Sequence, residues 1–247
     1  MKDQVNDKVA IVTGASKGIG RQISKQLASL GISTVVNYHS NKQQAEEVVK
    51  EIIFDGGKAV SIQADISKVA EIKSLFEQTI KVYGKVDILI NNAGLMINNP
   101  IEHVTEDEFD KHFSINVKGI YFACQQAMKH MQEHGKIINI STSVNGMMFP
   151  AYSVYSASKG AVEQITRQLA KEFGAKKISI NAIAPGPVKT ELFMQGKTEQ
   201  QIEFLSKMNS FGRLGETEDI ADFIELLVSD KAHWITGQTI KINGGLI

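Results

Sequence analysis

The chain has 247 residues, with 27 basic and 27 acidic side chains and 43% apolar residues. This composition is typical of a folded globular protein and excludes the disordered and fibrous classes. The formal charge of zero argues against a general nucleic-acid binder, because such proteins carry an excess of lysine and arginine. We therefore expect its partners to be small molecules or further copies of the chain.

We expect a cytosolic protein. Cys124 is the only cysteine, so no disulfide can form within the chain. Residues 1–7 are too polar for a secretion signal, and no apolar run approaches the roughly 18 residues needed to cross a bilayer. The sequence thus predicts no membrane association. The histidines show no spacing typical of metal ligands, so we also expect no metal in the chemistry.

Seven short β-branched segments alternate with longer segments of helical period. The short segments are nearly continuous in apolar residues, as expected of strands buried on both faces of a parallel sheet. The alternation predicts an α/β fold with a doubly wound, seven-stranded parallel sheet and helices on both faces, in one domain spanning residues 1–247. The predicted strands are 9–13, 34–38, 59–63, 86–91, 136–141, 179–184 and 239–242, and the predicted helices are 19–30, 44–54, 69–82, 106–133, 154–173 and 217–229.

A glycine-rich turn joins the first strand to the first helix. Glycines allow the backbone to turn tightly and to approach a pyrophosphate, while the first N–H groups of the helix attract the anion. We therefore expect a dinucleotide phosphate site here, and the alternative is a purely structural strand-to-helix turn. The predicted phosphate-binding residues are Gly14, Ser16, Lys17, Gly18, Ile19 and Gly20.

The end of the second strand should decide between NAD and NADP. NAD-selective enzymes commonly place a carboxylate there, which binds the ribose 2′-hydroxyl and repels a 2′-phosphate. Residues 36–42 contain no acid, and Tyr38, His39 and Ser40 stand at the end of the strand. Lys17 adds positive charge nearby, and His39 and Ser40 can donate hydrogen bonds. The pattern favours NADP(H) and leaves NAD(H) open, although each of these residues alone is more often plain surface.

Tyr155 and Lys159 lie four residues apart in the predicted helix 154–173, so their side chains share one face. A free phenol has a pKa of about 10. A neighbouring ammonium group, together with an oxidised nicotinamide, favours the phenolate and should lower that pKa. Tyr155 would then exchange a proton with a carbonyl or alcohol oxygen. In isolation, such a pair is more often a packed ring beside a surface lysine.

These motifs occur in an order that characterises one family. Over essentially its whole length the sequence resembles the short-chain dehydrogenases/reductases, and it looks most like their 3-oxoacyl-[acyl-carrier-protein] reductase and glucose dehydrogenase branch. The resemblance implies a Rossmann-type fold, an NADP(H)-dependent carbonyl reductase or alcohol dehydrogenase, and a homotetramer. It rests on residues 13–20, on Asp65 and Ile66, on residues 91–94, on Asn116, and on residues 155–159 and 185–190.

The resemblance also implies roles for individual residues. Tyr155 would transfer the proton, Lys159 would bind the nicotinamide ribose, and Asn116 would hold a water that relays protons. Relatives carry a serine thirteen residues before the tyrosine, where this chain has Thr142 between Ser141 and Ser143. Threonine supplies the same hydroxyl with a narrower choice of rotamers. The adenosine would contact Asp65, Ile66, Asn92, Ala93 and Gly94, and the nicotinamide would contact Pro185, Gly186, Val188 and Thr190. Where some relatives carry arginine to bind the 2′-phosphate, this chain has His39.

The resemblance implies a substrate lid at about residues 190–211. Its apolar side chains would face Met147, Met148 and Phe149, with ordinary core packing as the alternative. The substrate would be a 3-oxoacyl thioester or a general ketone or aldehyde. A non-catalytic NADP(H)-binding regulator and a non-redox enzyme of the extended family are the other functions considered, and Asn116, Tyr155 and Lys159 together argue against the regulator. The lid residues are Leu192, Phe193, Met194, Ile202, Phe204, Leu205 and Met208.

Overall fold

The computed structural model describes residues 7–247. The prediction that the chain has no secretion signal concerns residues 1–7, and residues 1–6 lie outside the described residues. The strands are β1 (Val9–Val12), β2 (Ser33–Tyr38), β3 (Ala59–Gln63), β4 (Val86–Asn91), β5 (Met131–Ile140), β6 (Ser179–Pro185) and β7 (Thr239–Ile242). The helices are α1 (Gly18–Ser29), α2 (Lys42–Phe54), α3 (Val69–Tyr83), α4 (Glu106–His112), α5 (Ile120–His130), α6 (Ser153–Gly174), α7 (Glu191–Met194), α8 (Glu199–Lys207) and α9 (Thr217–Val228).

The predicted fold class is confirmed. Within residues 7–247 the seven strands form one sheet in the order β3-β2-β1-β4-β5-β6-β7, and every neighbouring pair is parallel. The strand order reverses between β1 and β4, because the chain first builds outwards to β3 and then returns to the other side of β1. In a doubly wound sheet, the ligand crevice lies at this switch point, beyond the carboxyl ends of the strands.

Two apolar cores cover the two faces of the sheet, which explains why the strands lack polar alternation. In β1, Ala10 and Val12 join the core beneath α1, α2 and α9, whereas Ile11 joins the core beneath α3, α5 and α6. Consecutive side chains of a strand point to opposite faces, so both sets of positions must be apolar. The sheet is therefore a buried platform whose carboxyl edge carries the loops.

The structure corrects some element boundaries. The helix predicted over 106–133 consists of α4, a π-helical turn (Phe113–Gly119) and α5, and it ends at His130. Strand β5 begins at Met131 rather than at residue 136, with an irregularity in its pairing with β4. His134 adopts a left-handed φ of 64°, which cannot continue a helix. The predicted lid contains the short helices α7 and α8. None of the helices in residues 7–247 has both the length and the apolar character to cross a membrane.

Candidate active site

A cavity of about 620 Å³ lies at the carboxyl edge of the sheet, where the switch point predicts a ligand crevice. It brings together the residues predicted after β1 to β6, because parallel strands end at the same edge. Of the predicted catalytic and cofactor-binding residues, only Gly20 and Asn116 do not line it. The predicted residues in its wall are Gly14, Ser16, Lys17, Gly18, Ile19, Tyr38, His39, Ser40, Asp65, Ile66, Asn92, Ala93, Gly94, Thr142, Tyr155, Lys159, Pro185, Gly186, Val188 and Thr190.

The glycine turn packs too closely on its neighbours for larger residues. Gly14 has a φ of 60°, and a Cβ atom there would lie 2.9 Å from the Cα atom of Ala93. A Cβ at Gly20 would collide with the side-chain nitrogen of Asn92. That nitrogen donates hydrogen bonds to the carbonyls of Thr13 and Gly14, at 2.9 and 3.0 Å. Gly20 and Asn92 therefore shape the turn, with Gly20 outside the cavity.

The N-terminus of α1 is suited to an anion. Its N-cap residue, Lys17, is extended and makes no side-chain capping hydrogen bond. The first N–H groups of a helix need partners, and a phosphate group can supply them. Because these N–H groups lie beside cavity-lining glycines, the residues present fit the pyrophosphate of a dinucleotide. Gly18, with a φ of 55°, permits the turn into the helix.

The residues after β2 form the adjoining end of the cavity. Tyr38 is 6% exposed and belongs to the apolar core, whereas the His39 side chain is largely exposed. The His39 Nε2 atom lies 3.7 Å from a carboxylate oxygen of Asp65, and Lys17 Nζ lies 3.1 Å from Glu191 Oε2 on α7. Lys17 thus reaches α7, which lies in the predicted lid segment. Asn41 and Gln44, which were not predicted, also line the cavity. Their position at the start of α2, next to Tyr38, His39 and Ser40, could have indicated this.

Tyr155, Lys159 and Thr142 line the same cavity. Lys159 is buried, and its Nζ donates a 2.7 Å hydrogen bond to the Ile140 carbonyl at the end of β5. Helix α6 therefore holds the lysine against the strand that leads to Thr142. Tyr155 packs edge-on against the rings of His112 and Tyr152. The packing limits how far the phenol can turn away.

Ser141, Thr142 and Ser143 follow one another in the loop after β5, and their hydroxyl groups have different hydrogen-bond partners. Ser141 donates to Glu163 Oε1 at 2.7 Å, and Ser143 donates to the Ala184 carbonyl at 2.9 Å. Thr142 Oγ1 accepts a hydrogen bond from the Val144 amide at 3.2 Å, which leaves its own proton for another acceptor. Ser141 and Ser143 also line the cavity, but their hydroxyl groups are bonded to the scaffold, whereas the Thr142 hydroxyl keeps a proton in the wall that it shares with Tyr155.

Burial has a large effect on the pKa values of the site. Burial raises the pKa of Tyr155 to about 12, and the Thr142 hydroxyl opposes that increase. Burial lowers the pKa of Lys159 to about 8. The pKa of Tyr155 is raised, whereas a neighbouring ammonium group was expected to lower it. The phenolate loses its hydration on burial, and this effect outweighs the other interactions. The chain's own residues thus keep the phenol protonated, as required of a proton donor.

Asn116 lies in the π-helical turn and is fully buried behind the cavity. Its side-chain oxygen accepts from the Leu95 amide at 2.8 Å, and its nitrogen donates to the Leu95 carbonyl at 2.9 Å and to Ser158 Oγ at 3.0 Å. The residue joins the loop after β4 to the helix that carries Tyr155. Its side chain is committed to these partners, so any contact with a water would use its backbone.

The predicted lid segment, residues 190–211, supplies part of the apolar wall. Leu192, Phe193 and Leu205 line the cavity. The predicted contacts of Met194, Ile202, Phe204 and Met208 are wrong, because these residues do not line it and Phe204 is mostly exposed. On the facing loop, Met147 and Phe149 line it, but Met148 is fully exposed and does not. The expectation for Met148 is therefore wrong, because consecutive side chains of this extended segment point in different directions. The wall of the cavity also contains Tyr152 and Leu246, which were not predicted to line it.

Across residues 7–247, no group of three or more histidine, cysteine or acidic side chains is arranged to hold a metal ion.

Comparisons with known proteins agree with this site. A family model described as enoyl-(acyl carrier protein) reductase matches residues 14–247. An uncharacterised oxidoreductase of Methylorubrum extorquens is 42% identical over 98% of this chain and 99% of its own length. A short-chain dehydrogenase/reductase of Serratia marcescens is 34% identical, with a TM-score of 0.93 over 98% of each chain. The angucycline C-6 ketoreductase LanV, solved with bound NADP, is 36% identical, with a TM-score of 0.93 over 98% of this chain and 96% of its own.

Proposed function

Because the chain belongs to the short-chain dehydrogenase/reductase family, we propose that it is an NADP(H)-dependent oxidoreductase acting on a carbonyl group or the corresponding secondary alcohol. One observation carries the proposal. The Tyr155 phenol, the Lys159 ammonium group and the Thr142 hydroxyl line the same cavity as the uncapped start of α1. An acid and a hydroxyl donor therefore stand in the cavity that has a place for a dinucleotide phosphate.

The residues that would hold the cofactor come from the loops after β1, β2, β3, β4 and β6 and from α6. The start of α1 would bind the pyrophosphate, and Asp65 and Ile66 would flank the adenosine. Pro185, Val188 and their neighbours would contact the nicotinamide. When bound, NADP(H) would donate or accept the hydride. The protein itself would supply orientation and the proton.

In the direction of reduction, Tyr155 would donate its proton to the carbonyl oxygen. The raised pKa of the phenol keeps that proton in place at neutral pH until the oxygen becomes more basic. The Thr142 hydroxyl would donate a hydrogen bond to the same oxygen and stabilise its developing negative charge. Lys159 would bind the nicotinamide ribose, and Asn116 would keep α6 and the loop after β4 in register.

Preference for NADP(H) follows from the charge around β2. Tyr38, His39 and Ser40 provide no carboxylate that would repel a 2′-phosphate. His39 is exposed beside the cavity, and Lys17 becomes available if it leaves Glu191. LanV supports this preference in that it was solved with bound NADP.

The substrate end favours an apolar carbonyl compound. Its wall contains Met147, Phe149, Phe193, Leu205 and Leu246. Such a wall can accept the chain of a 3-oxoacyl thioester or the body of a larger ketone, because both bury apolar surface. LanV, as a ketoreductase, favours the ketone. We extend the proposal to a cytosolic homotetramer, the closed assembly that the resemblance implies.

The test is loss of NADPH absorbance with a panel of ketones, diketones, aldehydes and 3-oxoacyl thioesters. The Tyr155→Phe variant should lose about 10² to 10⁴ in turnover, because the ring remains but the proton donor is gone. NADPH fluorescence should show unchanged cofactor binding. A wild-type protein that binds NADPH but reduces nothing, or a variant with near-normal turnover, contradicts the proposal; the first result indicates a regulator.

A further inference from the structure

We propose that Glu163 is a positioning residue, which holds the loop carrying Thr142 against the helix carrying Tyr155. The inference rests on the proposed function, since it concerns how the proton donor and the hydroxyl donor keep their relative positions. Neither the glycine turn nor the family motifs include Glu163. Its place on α6, four residues after Lys159 and eight after Tyr155, sets it on the same face of the helix.

Glu163 contacts both flanks of Thr142. Its Oε1 atom accepts one hydrogen bond from Ser141 Oγ and another from Asn145 Nδ2, each at 2.7 Å. Ser141 comes directly before Thr142, and Asn145 lies three residues after it. A carboxylate forms shorter and stronger hydrogen bonds than a neutral acceptor, so one side chain fixes both ends of the segment.

A second contact closes a ring. Ser156, next to Tyr155 on α6, donates a 2.9 Å hydrogen bond to the Oδ1 atom of Asn145. Asn145 thus bonds to the helix at Ser156 through its oxygen and at Glu163 through its nitrogen. The ring connects the first turns of α6 to the loop, and it orients the two residues that share a reacting oxygen.

The opposite side of the loop is held by other elements. Ser143 Oγ donates to the Ala184 carbonyl of β6 and accepts from Asn243 Nδ2 at 3.1 Å. A Cβ atom at Gly146 would collide with Ile247. These contacts attach the loop to β6 and to the end of the chain, but they do not relate it to Tyr155. The contacts of Glu163 do, and this is why we assign the positioning role to Glu163.

The chain offers a matched pair of substitutions. Glu163→Gln keeps an oxygen in the place of Oε1 that can accept both hydrogen bonds, whereas Glu163→Ala removes it. A misplacement of about 1 Å in a catalytic group can reduce turnover by roughly 10², so Glu163→Ala should lose about 10- to 100-fold in kcat. Glu163→Gln should retain most activity, and binding of NADPH should remain within about twofold in both. Glu172→Ala, at an exposed position of the same helix, is the control.

A double-mutant cycle with Thr142→Val separates positioning from general destabilisation. If Glu163 acts through the Thr142 hydroxyl, then Glu163→Ala should have little further effect on kcat once that hydroxyl is absent. Equal losses in both backgrounds would overturn the proposal.

Hydrogen exchange gives a measurement that needs no turnover. Amides of residues 141–147 should exchange faster in Glu163→Ala than in wild type, Glu163→Gln or Glu172→Ala. Unchanged exchange in Glu163→Ala would overturn the proposal even in an active enzyme. If wild type reduces no carbonyl compound, the proposed function fails, while the exchange comparison still decides whether Glu163 holds the loop.

Discussion

Replacing Lys159 by methionine should stabilise the folded protein at pH 7 while abolishing turnover. The lysine is 3% exposed, and burial lowers its pKa from 10.5 to about 8. Burial of an ammonium group favours its neutral form, because the charge loses hydration. The residue therefore contributes a cost to folding that a methionine of similar length avoids. Such an exchange of stability for activity is common at catalytic sites.

The sign and size follow from the two pKa values. Below pH 8 both folded and unfolded chains carry the charge, and the difference in pKa corresponds to about 3 kcal/mol against folding. Between pH 8 and 10.5 the unfolded chain binds more protons, so the wild-type free energy of unfolding rises with pH. The variant also loses the hydrogen bond to the Ile140 carbonyl, which contributes about 1 kcal/mol. We expect a net gain of about 2 kcal/mol at pH 7, which falls to zero near pH 10 and becomes a loss of about 1 kcal/mol above pH 10.5, where only the missing hydrogen bond counts.

Urea unfolding followed by circular dichroism, at one protein concentration and at several pH values, measures this difference. Lys171→Met, at an exposed position of α6, controls for removing a charge from the helix and should show no such pH dependence. A Lys159→Met protein that is less stable than wild type at pH 7, by an amount that stays the same at pH 10, would refute the reasoning.

Three further predictions concern the hydroxyl donor, the cofactor and the assembly. Thr142→Val should lose about 10² to 10³ in kcat, whereas Thr142→Ser should retain most of it. If Ser143→Ala loses kcat by that amount and Thr142→Val does not, the serine is the hydroxyl donor. Tyr38→Asp should shift the kcat/KM preference towards NADH relative to Tyr38→Asn, which removes the same buried ring without adding charge. A wild type that already prefers NADH would contradict the proposed preference for NADP(H). Light scattering at micromolar protein should give four times the monomer mass, and a monomer would exclude the tetramer.

Local sequence patterns were sufficient to predict the architecture. The strand and helix periods depend on residues close together in the chain, and parallel strands must end at one edge of the sheet. The sequence therefore predicts that the glycine turn, the residues after β2 and the pair Tyr155 and Lys159 lie in one crevice. The four-residue spacing of that pair needed only the geometry of a helix.

Only the tertiary structure decided which groups are free to act. Among Ser141, Thr142 and Ser143, the choice depends on Glu163 and on Ala184, which come from elements far along the chain. The ion pair between Lys17 and Glu191 of α7 likewise joins residues that are far apart in the chain.

No sequence pattern predicts the raised pKa of Tyr155, the burial of Tyr38 or the outward direction of the Met148 side chain. Hydrogen-bond partners, hydration and side-chain direction are set by neighbours that approach only when the chain folds. Local sequence patterns do not predict those neighbours, because they are distant in the sequence.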